Sequence, residues 1–83
     1  MTASVVLFAR PGCHLCEEAR EVLRELRAEG HDFELEEVDI DTSDDLLRSY
    51  LERIPVIEVG GEIVSELVPD RIALRASLGT VRT

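Results

Sequence analysis

Hydrophobic and polar positions change their spacing several times along the 83-residue chain, and each change predicts a new element. The continuous apolar run Val5-Val6-Leu7-Phe8 is typical of a short strand that is buried on both faces. From Leu15 to Leu26 the apolar positions recur at helical spacing with charged residues between them, which predicts an amphipathic helix. Gly30 then supplies the left-handed position at which such a helix ends.

The next stretch predicts a second strand with an irregularity in it. Phe33 and Leu35 alternate with acidic residues, whereas Val38 and Ile40 continue the alternation in the opposite phase. A bulge or a bend produces such a change of phase inside a strand, so we expect one or the other near Glu36-Glu37.

Capping and turn residues delimit the remaining elements. The segment Thr-Ser-Asp-Asp at residues 42–45 is typical of a helix start, and Ile54-Pro55 interrupts the short helix that follows. Gly60-Gly61 separates two apolar segments and predicts a tight hairpin with positive φ at its turn. Pro69-Asp70 opens a last helix, which Gly79 ends. We expect the inward face of this helix to carry its apolar residues Ile72, Ala73, Ala76 and Leu78.

The predicted order of elements is βαβαββα, which defines an α/β fold. A βαβ unit with a right-handed crossover, extended by an antiparallel hairpin, gives a four-stranded mixed sheet flanked by three helices. Residues 1–83 are then expected to form a single domain, with the small core that a chain of this length can bury. We expect residues 80–83 to form a frayed tail.

Composition and charge argue against some classes of partner. The net charge is −9, and all nine cationic residues are arginines. A phosphate backbone would require clustered positive charge, so we expect no nucleic-acid partner. The N-terminus has neither a positively charged start nor a long apolar run, so we expect no membrane partner and a cytoplasmic location. No excess of apolar surface is evident, which favours a monomer.

Both cysteines of the chain, Cys13 and Cys16, fall inside the segment Arg-Pro-Gly-Cys-His-Leu-Cys at residues 10–16. They follow the first predicted strand and open the first predicted helix, where open α/β sheets bind ligands. Residues three apart on a helix are neighbours on one face, within reach of a disulfide. The helix N-terminus favours the Cys13 thiolate, and a more enclosed Cys16 suits the resolving role. In a reducing cytosol this pattern favours redox catalysis over a structural disulfide.

Metal binding is the main alternative for the cysteine pair. Zinc takes about four ligands, and only His14 and His31 accompany the two thiolates. We expect His31 to be exposed in a polar turn, and we expect no metal site. His14 has two interpretations of equal weight: an imidazolium that tunes the pKa of the Cys13 thiol, or an exposed first-turn residue whose positive charge the helix dipole disfavours.

The segment from Val6 to Ala19, followed downstream by Arg53-Ile54-Pro55-Val56 and Gly60-Gly61, resembles the glutaredoxin-like branch of the thioredoxin superfamily. The resemblance implies a minimal thioredoxin fold with sheet order 2-1-3-4, an attacking first cysteine and a resolving second cysteine. It also implies a cis-proline at Pro55 that faces the pair. Arg53, Ile54 and Pro55 would then bind substrate, with the backbone N–H and C=O of Ile54 offered to an extended thiol substrate. The alternative is that Pro55 simply ends a helix and starts an edge strand.

Arg10 stands where glutaredoxins similarly carry a basic residue that contacts the glutathione carboxylate. A surface ion pair is the competing interpretation. The sequence also departs from the glutathione-binding members of the family. His14-Leu15 stands between the cysteines in place of Pro-Tyr, and Arg53-Ile54-Pro55 stands in place of Thr-Val-Pro. After the hairpin, Ser65-Glu66-Leu67-Val68 replaces the Gly-Gly and acids that hold the glutathione amino group.

The sequence therefore predicts an enzyme, a thiol–disulfide oxidoreductase. The Cys13 thiolate attacks a protein or glutathione mixed disulfide, and Cys16 resolves it. We expect no tightly bound cofactor, glutathione as a candidate co-substrate, and glutathione or a reductase as the cellular reductant. Two other functions stay open: an iron–sulfur or metal-binding module that uses Cys13 with an external thiol or a second subunit, and a non-catalytic interaction domain whose acidic surface docks a basic partner.

Overall fold

The computed structural model of the protein describes residues 3–79. The predicted order βαβαββα is confirmed. The elements are β1 (Ala3–Ala9), α1 (His14–Ala28), β2 (Phe33–Asp39), a short 3-10 helix (Ile40–Thr42), α2 (Asp44–Tyr50), β3 (Val56–Val59), β4 (Glu62–Glu66) and α3 (Arg71–Gly79). In this described part of the chain, no helix is both long enough and apolar enough to cross a membrane. The tail predicted at residues 80–83 lies outside the described residues.

The four strands form one mixed sheet in the order β2-β1-β3-β4, the order that the resemblance implied. Strand β1 runs parallel to β2 and antiparallel to β3, and β3 pairs with β4 as a hairpin. Gly60 and Gly61 at the hairpin turn have φ values of 61° and 88°. Such positive φ angles are what the predicted tight turn requires of its two central residues.

The core joins one face of the sheet to helices α1 and α3. Its fully buried side chains include Leu7 and Ile57 from the sheet, Leu23 and Leu26 from α1, and Leu74 from α3. The apolar stripe predicted along α1 is the face that enters this cluster. Strand β1, which precedes the segment with the cysteines, is packed against this core and lies between β2 and β3 in the sheet.

Helix α2 covers the other face of β1. Phe8 follows Leu7 and so points to the opposite side of the sheet. There its ring stacks on Tyr50 of α2, with the ring centroids 4.5 Å apart and the planes inclined by 19°. Ser43 caps α2 by accepting a hydrogen bond from the N–H of Leu46, as the predicted helix start indicated. Helices thus cover both faces of β1 near its carboxyl end.

Strand β2 is regular, so the prediction of a bulge near Glu36-Glu37 is wrong. Its register with β1 runs without a break along all seven residues. Val38, paired with Phe8, lies on the opposite face of the sheet from Phe33 and Leu35, and Ile40 lies beyond the strand, where it opens the 3-10 helix and is fully buried. The register shift in the sheet lies instead between β3 and β4, next to Ile57.

The inward face of α3 differs in part from the prediction. Leu78 is buried as predicted, but Ile72 is 80% exposed and Ala76 is exposed, and Leu74, which the prediction left out, is fully buried. The apolar residues of this short helix form two stripes, one with Ile72 and Ala76 and the other with Leu74 and Leu78. Their spacing alone does not indicate which stripe faces the core. The residue before the helix is tied by a hydrogen bond to the end of β4, and this entry point decides which stripe meets the core.

The turn after α1 covers most of the His31 side chain, which we expected to be exposed. Gly30 has a φ of 105°, and the next N–H, that of His31, donates to the carbonyl of Leu26 at 3.2 Å. This pattern folds the chain back over the end of the helix. The His31 side chain is consequently only 12% exposed, with Nε2 4.0 Å from a carboxylate oxygen of Glu29.

Candidate active site

Cys13 and Cys16 lie at the start of α1 and are joined by a disulfide, with their Cα atoms 5.2 Å apart. Cys13 is the N-cap of the helix, in an extended conformation with φ −93° and ψ 112°. Its Sγ accepts a hydrogen bond from the backbone N–H of Cys16 at 3.1 Å. A sulfur that receives an N–H at a helix N-terminus is stabilised as an anion once the disulfide is reduced.

The two sulfurs differ in accessibility. Cys16 is fully buried within the core cluster, whereas Cys13 is only partly buried and packs against the edge of that cluster. An attacking sulfur must be reached by substrate, while a resolving sulfur has only to reach its neighbour. This difference matches the roles predicted for the two cysteines.

Sheet topology brings three other chain segments to the edge where the cysteines lie. Ala9 at the end of β1 is opposite Asp39 of β2, and Phe8 is opposite Val56 at the start of β3. Val56 is in turn opposite Glu66 at the end of β4. We call this edge, where the chain leaves or enters all four strands, the cysteine edge. It consists of residues 10–18, 39–41, 53–55 and 66–68.

The peptide bond between Ile54 and Pro55 is cis, as the resemblance implied. Both residues are buried, and Ile54 belongs to the apolar cluster that contains Cys16. The Ile54 N–H donates to the carbonyl of Tyr50 at 3.0 Å. This N–H, which we expected to be offered to a substrate, is therefore already engaged. Backbone pairing of a substrate with Ile54 would have to use its carbonyl oxygen.

Arg53 is held by Glu66 across the ends of β3 and β4. Its Nε and Nη2 donate to the two carboxylate oxygens of Glu66 at 2.8 and 3.2 Å. The guanidinium carbon also lies 5.3 Å from the ring centroid of Tyr50. The hydrogen bond between the two side chains raises the pKa of Arg53 and lowers the pKa of Glu66. Both groups are therefore charged and paired at neutral pH.

Arg10 forms the surface ion pair that was the competing interpretation of this residue. Its Nε lies 3.4 Å from Oδ1 of Asp41, and both side chains are partly exposed. Arg10 also lines a cleft of about 360 Å³ beside the carboxyl ends of β1 and β2, with Arg20 on the same cleft. Arg20 is paired with Glu37 at 2.7 Å. Both cations of this cleft thus have carboxylate partners.

His14 points away from the protein. Its side chain is 89% exposed, and Nε2 lies 3.2 Å from a carboxylate oxygen of Glu18, one helical turn further on. This geometry matches the interpretation of His14 as an exposed first-turn residue. Within residues 3–79, no group of three or more His, Cys, Asp or Glu side chains is arranged to hold a metal ion.

Two residues of the site were not predicted from the sequence. They are Glu66, the partner of Arg53, and Leu67, whose backbone connects the end of β4 to the segment that contains Arg53. The Leu67 N–H donates to the carbonyls of Arg53 and Pro55 at 3.0 and 3.1 Å. Counting outward from the hairpin turn would place Ser65 opposite the start of β3. The register shift moves Glu66 to that position instead, and no local pattern announces it.

Comparisons with known proteins identify the family and the fold of the chain. A family model described as Glutaredoxin-like domain (DUF836) matches residues 4–78. The solution NMR structure of protein Ne2328 from Nitrosomonas europaea is 33% identical, with a TM-score of 0.80 over 92% of this chain and 91% of that chain. The X-ray structure of target protein XcR50 from X. campestris is 32% identical, with a TM-score of 0.76 over 92% and 96% of the two chains. None of the curated proteins compared with the chain matches it.

Thioredoxins share the fold at lower identity. The oxidized form of mitochondrial thioredoxin 3 from Saccharomyces cerevisiae is 20% identical, with a TM-score of 0.67 over 94% of this chain and 77% of that chain. At this level of identity the likeness concerns the fold alone. The four-stranded mixed sheet with its three helices is therefore a thioredoxin-like fold.

Proposed function

The chain belongs to the glutaredoxin-like family, and from that premise we propose that it is a thiol–disulfide oxidoreductase. The observation that carries the proposal is the asymmetry of the cysteine pair. Cys13 is partly exposed and caps a helix, while Cys16, bonded to it, is fully buried. The Cys13 sulfur is thus accessible to a substrate disulfide, whereas the Cys16 sulfur can react only with Cys13.

Reduction of a substrate disulfide takes two exchanges. The Cys13 thiolate attacks one substrate sulfur, forms a mixed disulfide and releases the other substrate sulfur as a thiolate, which takes up a proton from water. The Cys16 thiol then loses its proton and attacks the Sγ of Cys13. This step forms the protein disulfide and releases the second substrate thiolate. Two electrons pass from the cysteine pair to the substrate, and glutathione or a reductase returns them.

The local structure supports both steps. The N–H of Cys16 that bonds to the Cys13 Sγ at 3.1 Å favours the anionic form of Cys13, which makes the first attack. Because the Cα atoms are 5.2 Å apart, within the usual range of disulfides, the pair can close without a large backbone movement. The burial of Cys16 keeps outside disulfides from reacting with it first.

We assign substrate contacts to Arg10, Arg53, Ile54 and Pro55 at the cysteine edge. Glutathione as co-substrate would place a carboxylate on Arg10, which must first leave Asp41. An exposed ion pair of this kind is weak, so the exchange of partners costs little. The chemistry requires no tightly bound cofactor. We place the activity in the cytoplasm and assign it a role in redox homeostasis.

Disulfide-exchange kinetics on the full chain and two single variants test this proposal. We expect Cys13→Ser to abolish exchange with every disulfide. We expect Cys16→Ser to complete the first exchange only and to accumulate a mixed disulfide, visible as an adduct by intact mass. Exchange at the wild-type rate in Cys13→Ser would contradict the proposal.

A further inference from the structure

We propose that the cysteine edge selects protein disulfides flanked by basic and apolar residues over the disulfide of glutathione, and that the Arg53–Glu66 ion pair determines this preference. The inference rests on the proposed exchange chemistry at Cys13 and names its substrate class. Four observations at the cysteine edge carry it: its balance of charge, the pairing of its arginines, the backbone that positions Glu66, and the exposed apolar residues beside it.

The cysteine edge carries more carboxylates than cations. Arg10 and Arg53 are its arginines, and neither segment 39–41 nor segment 66–68 adds another. Its carboxylates are Glu17, Glu18, Asp39, Asp41 and Glu66. Glutathione has a net negative charge at neutral pH, so its disulfide approaches a surface of like sign. A basic polypeptide segment is attracted to the same surface.

Both arginines of the cysteine edge are already paired with carboxylates, as are Arg20 and Arg71 at its border. Arg53 holds Glu66 with two hydrogen bonds, at 2.8 and 3.2 Å, and Arg10 lies 3.4 Å from Asp41. A glutathione carboxylate would have to displace Glu66 from the two-point pair, which is the stronger of the two. The displacement exchanges one carboxylate for another and leaves Glu66 unpaired beside the incoming anion. Arg53 is thereby withheld from anionic substrates.

The backbone fixes Glu66 in this position. Leu67, the next residue, has a φ of 60° and donates its N–H to the carbonyls of Arg53 and Pro55 at 3.0 and 3.1 Å. These hydrogen bonds connect the end of β4 to residues 53–55, the segment directly before β3. The backbone hydrogen bonds therefore hold the two segments together, and they keep Arg53 and Glu66 close enough to pair.

Exposed apolar side chains adjoin the ion pair. Leu67 is 48% exposed and Val68 is 67% exposed, and both belong to the cysteine edge. An apolar residue beside the substrate cysteine can cover them, whereas glutathione has no apolar side chain with which to do so. The occupant we assign is thus an extended protein segment with basic residues facing the carboxylates and an apolar residue facing Leu67 and Val68.

Rates of the first exchange with three matched probes test the inference on the reduced full chain. The probes are glutathione, a peptide with basic and apolar residues around one cysteine, and a peptide of equal length with acidic residues in place of the basic ones. Each is supplied as its mixed disulfide with thionitrobenzoate, whose release is followed by absorbance. At low ionic strength we expect the basic peptide to react about 10-fold or more faster than glutathione and the acidic peptide. Added salt should reduce this difference in rate, because it screens the charges of the surface and the probes.

The variant Glu66→Gln frees Arg53 and removes one carboxylate. We expect it to raise the rate with glutathione and to lower the ratio of basic peptide to glutathione about threefold or more. Glu62→Gln is the matched control, because it makes the same charge change at the far end of β4, opposite Val59. Equal rates with the basic and acidic peptides, or equal ratios in the two variants, would overturn the inference while exchange itself persists. Absence of release from every probe would overturn the proposed function, and the inference with it.

Discussion

The backbone N–H of Cys16 donates a hydrogen bond to the Sγ of Cys13 at 3.1 Å. This contact exists because Cys13 is the N-cap of α1 and Cys16 lies at the third position of the helix, where an N-cap side chain finds its partner. The same placement buries Cys16 and leaves Cys13 within reach of solvent. Two chemically identical side chains are thus made unequal by their positions on one helical turn.

The inequality predicts different rates of alkylation in the reduced protein. We expect iodoacetamide at pH 6 to modify Cys13 about 10-fold or more faster than Cys16, because Cys13 is both accessible and favoured as the thiolate. Pulsed alkylation followed by peptide mapping measures the two rates. In denaturant the rates should become nearly equal, and faster labelling of Cys16 in the folded protein would refute the assignment of roles.

The two apolar stripes of α3 predict very different losses of folding stability when one of their side chains is truncated. Leu74 is fully buried, so Leu74→Ala should lower the free energy of unfolding by about 2–5 kcal/mol. Ile72 is 80% exposed, so Ile72→Ala should change it by less than about 0.5 kcal/mol. Urea titration measures both variants. A larger loss for Ile72→Ala than for Leu74→Ala would show that the helix packs through the other stripe.

Local patterns predicted the elements of this fold because they are encoded within a few residues. The stripe from Leu15 to Leu26, the cap at Ser43 and the turn at Gly60-Gly61 each need only neighbouring residues to form. The disulfide between Cys13 and Cys16 is local in the same sense. The start of the helix and the end of the strand before it fix its place in the fold.

Features that depend on distant parts of the chain were not predictable in this way. The face that α3 buries depends on where β4 ends, and the partial burial of His31 depends on how the chain folds back over α1. The pairing of Arg53 with Glu66 follows from a register shift in the hairpin that no residue type announces. Each of these is settled by tertiary packing, which single-sequence patterns do not report.

Two ion pairs between α1 and α3 predict a dependence of stability on pH. Hydrogen bonds from Arg71 and Arg75 lower the pKa values of Glu25 and Glu29, respectively. A carboxyl group with a lowered pKa in the folded state stabilises it above the unfolded value of about 4.3, and this contribution is lost as the pH falls through the lowered value. The melting temperature should therefore fall as the pH drops from about 5 to 3.

The double variant Arg71→Gln/Arg75→Gln isolates this contribution. We expect its melting temperature to lie below that of the wild type at pH 7, by less than about 4 °C because the pairs are exposed. The difference should shrink as the pH falls towards 3, because the two carboxyl groups become protonated through their lowered pKa values. Arg48→Gln, an exposed change on α2, serves as the control. A difference that persists undiminished at pH 3 would show that the arginines act through packing instead.

The buried hydroxyl of Ser65 is expected to stabilise the fold, so its removal should lower the free energy of unfolding. Its Oγ accepts a hydrogen bond from the N–H of Asp70 at 3.0 Å and donates to the carbonyl of Val68 at 3.3 Å. Ser65→Ala leaves both backbone groups without this partner and should lower the free energy of unfolding by about 1–3 kcal/mol. Ser49→Ala, an exposed change on α2, should alter it by less than about 0.5 kcal/mol. Equal urea midpoints for the two variants would contradict this account of the loop before α3.

The central claim is that Cys13 and Cys16 form a working redox pair, and equilibration with glutathione buffers tests it most directly. The full chain is held at a series of reduced-to-oxidised glutathione ratios, its thiols are trapped by alkylation, and the dithiol, the disulfide and any glutathione adduct are counted by intact mass. We predict a reversible transition at a potential between about −270 and −200 mV, the range spanned by thioredoxins and glutaredoxins. A pair that stays reduced at every ratio would contradict the claim.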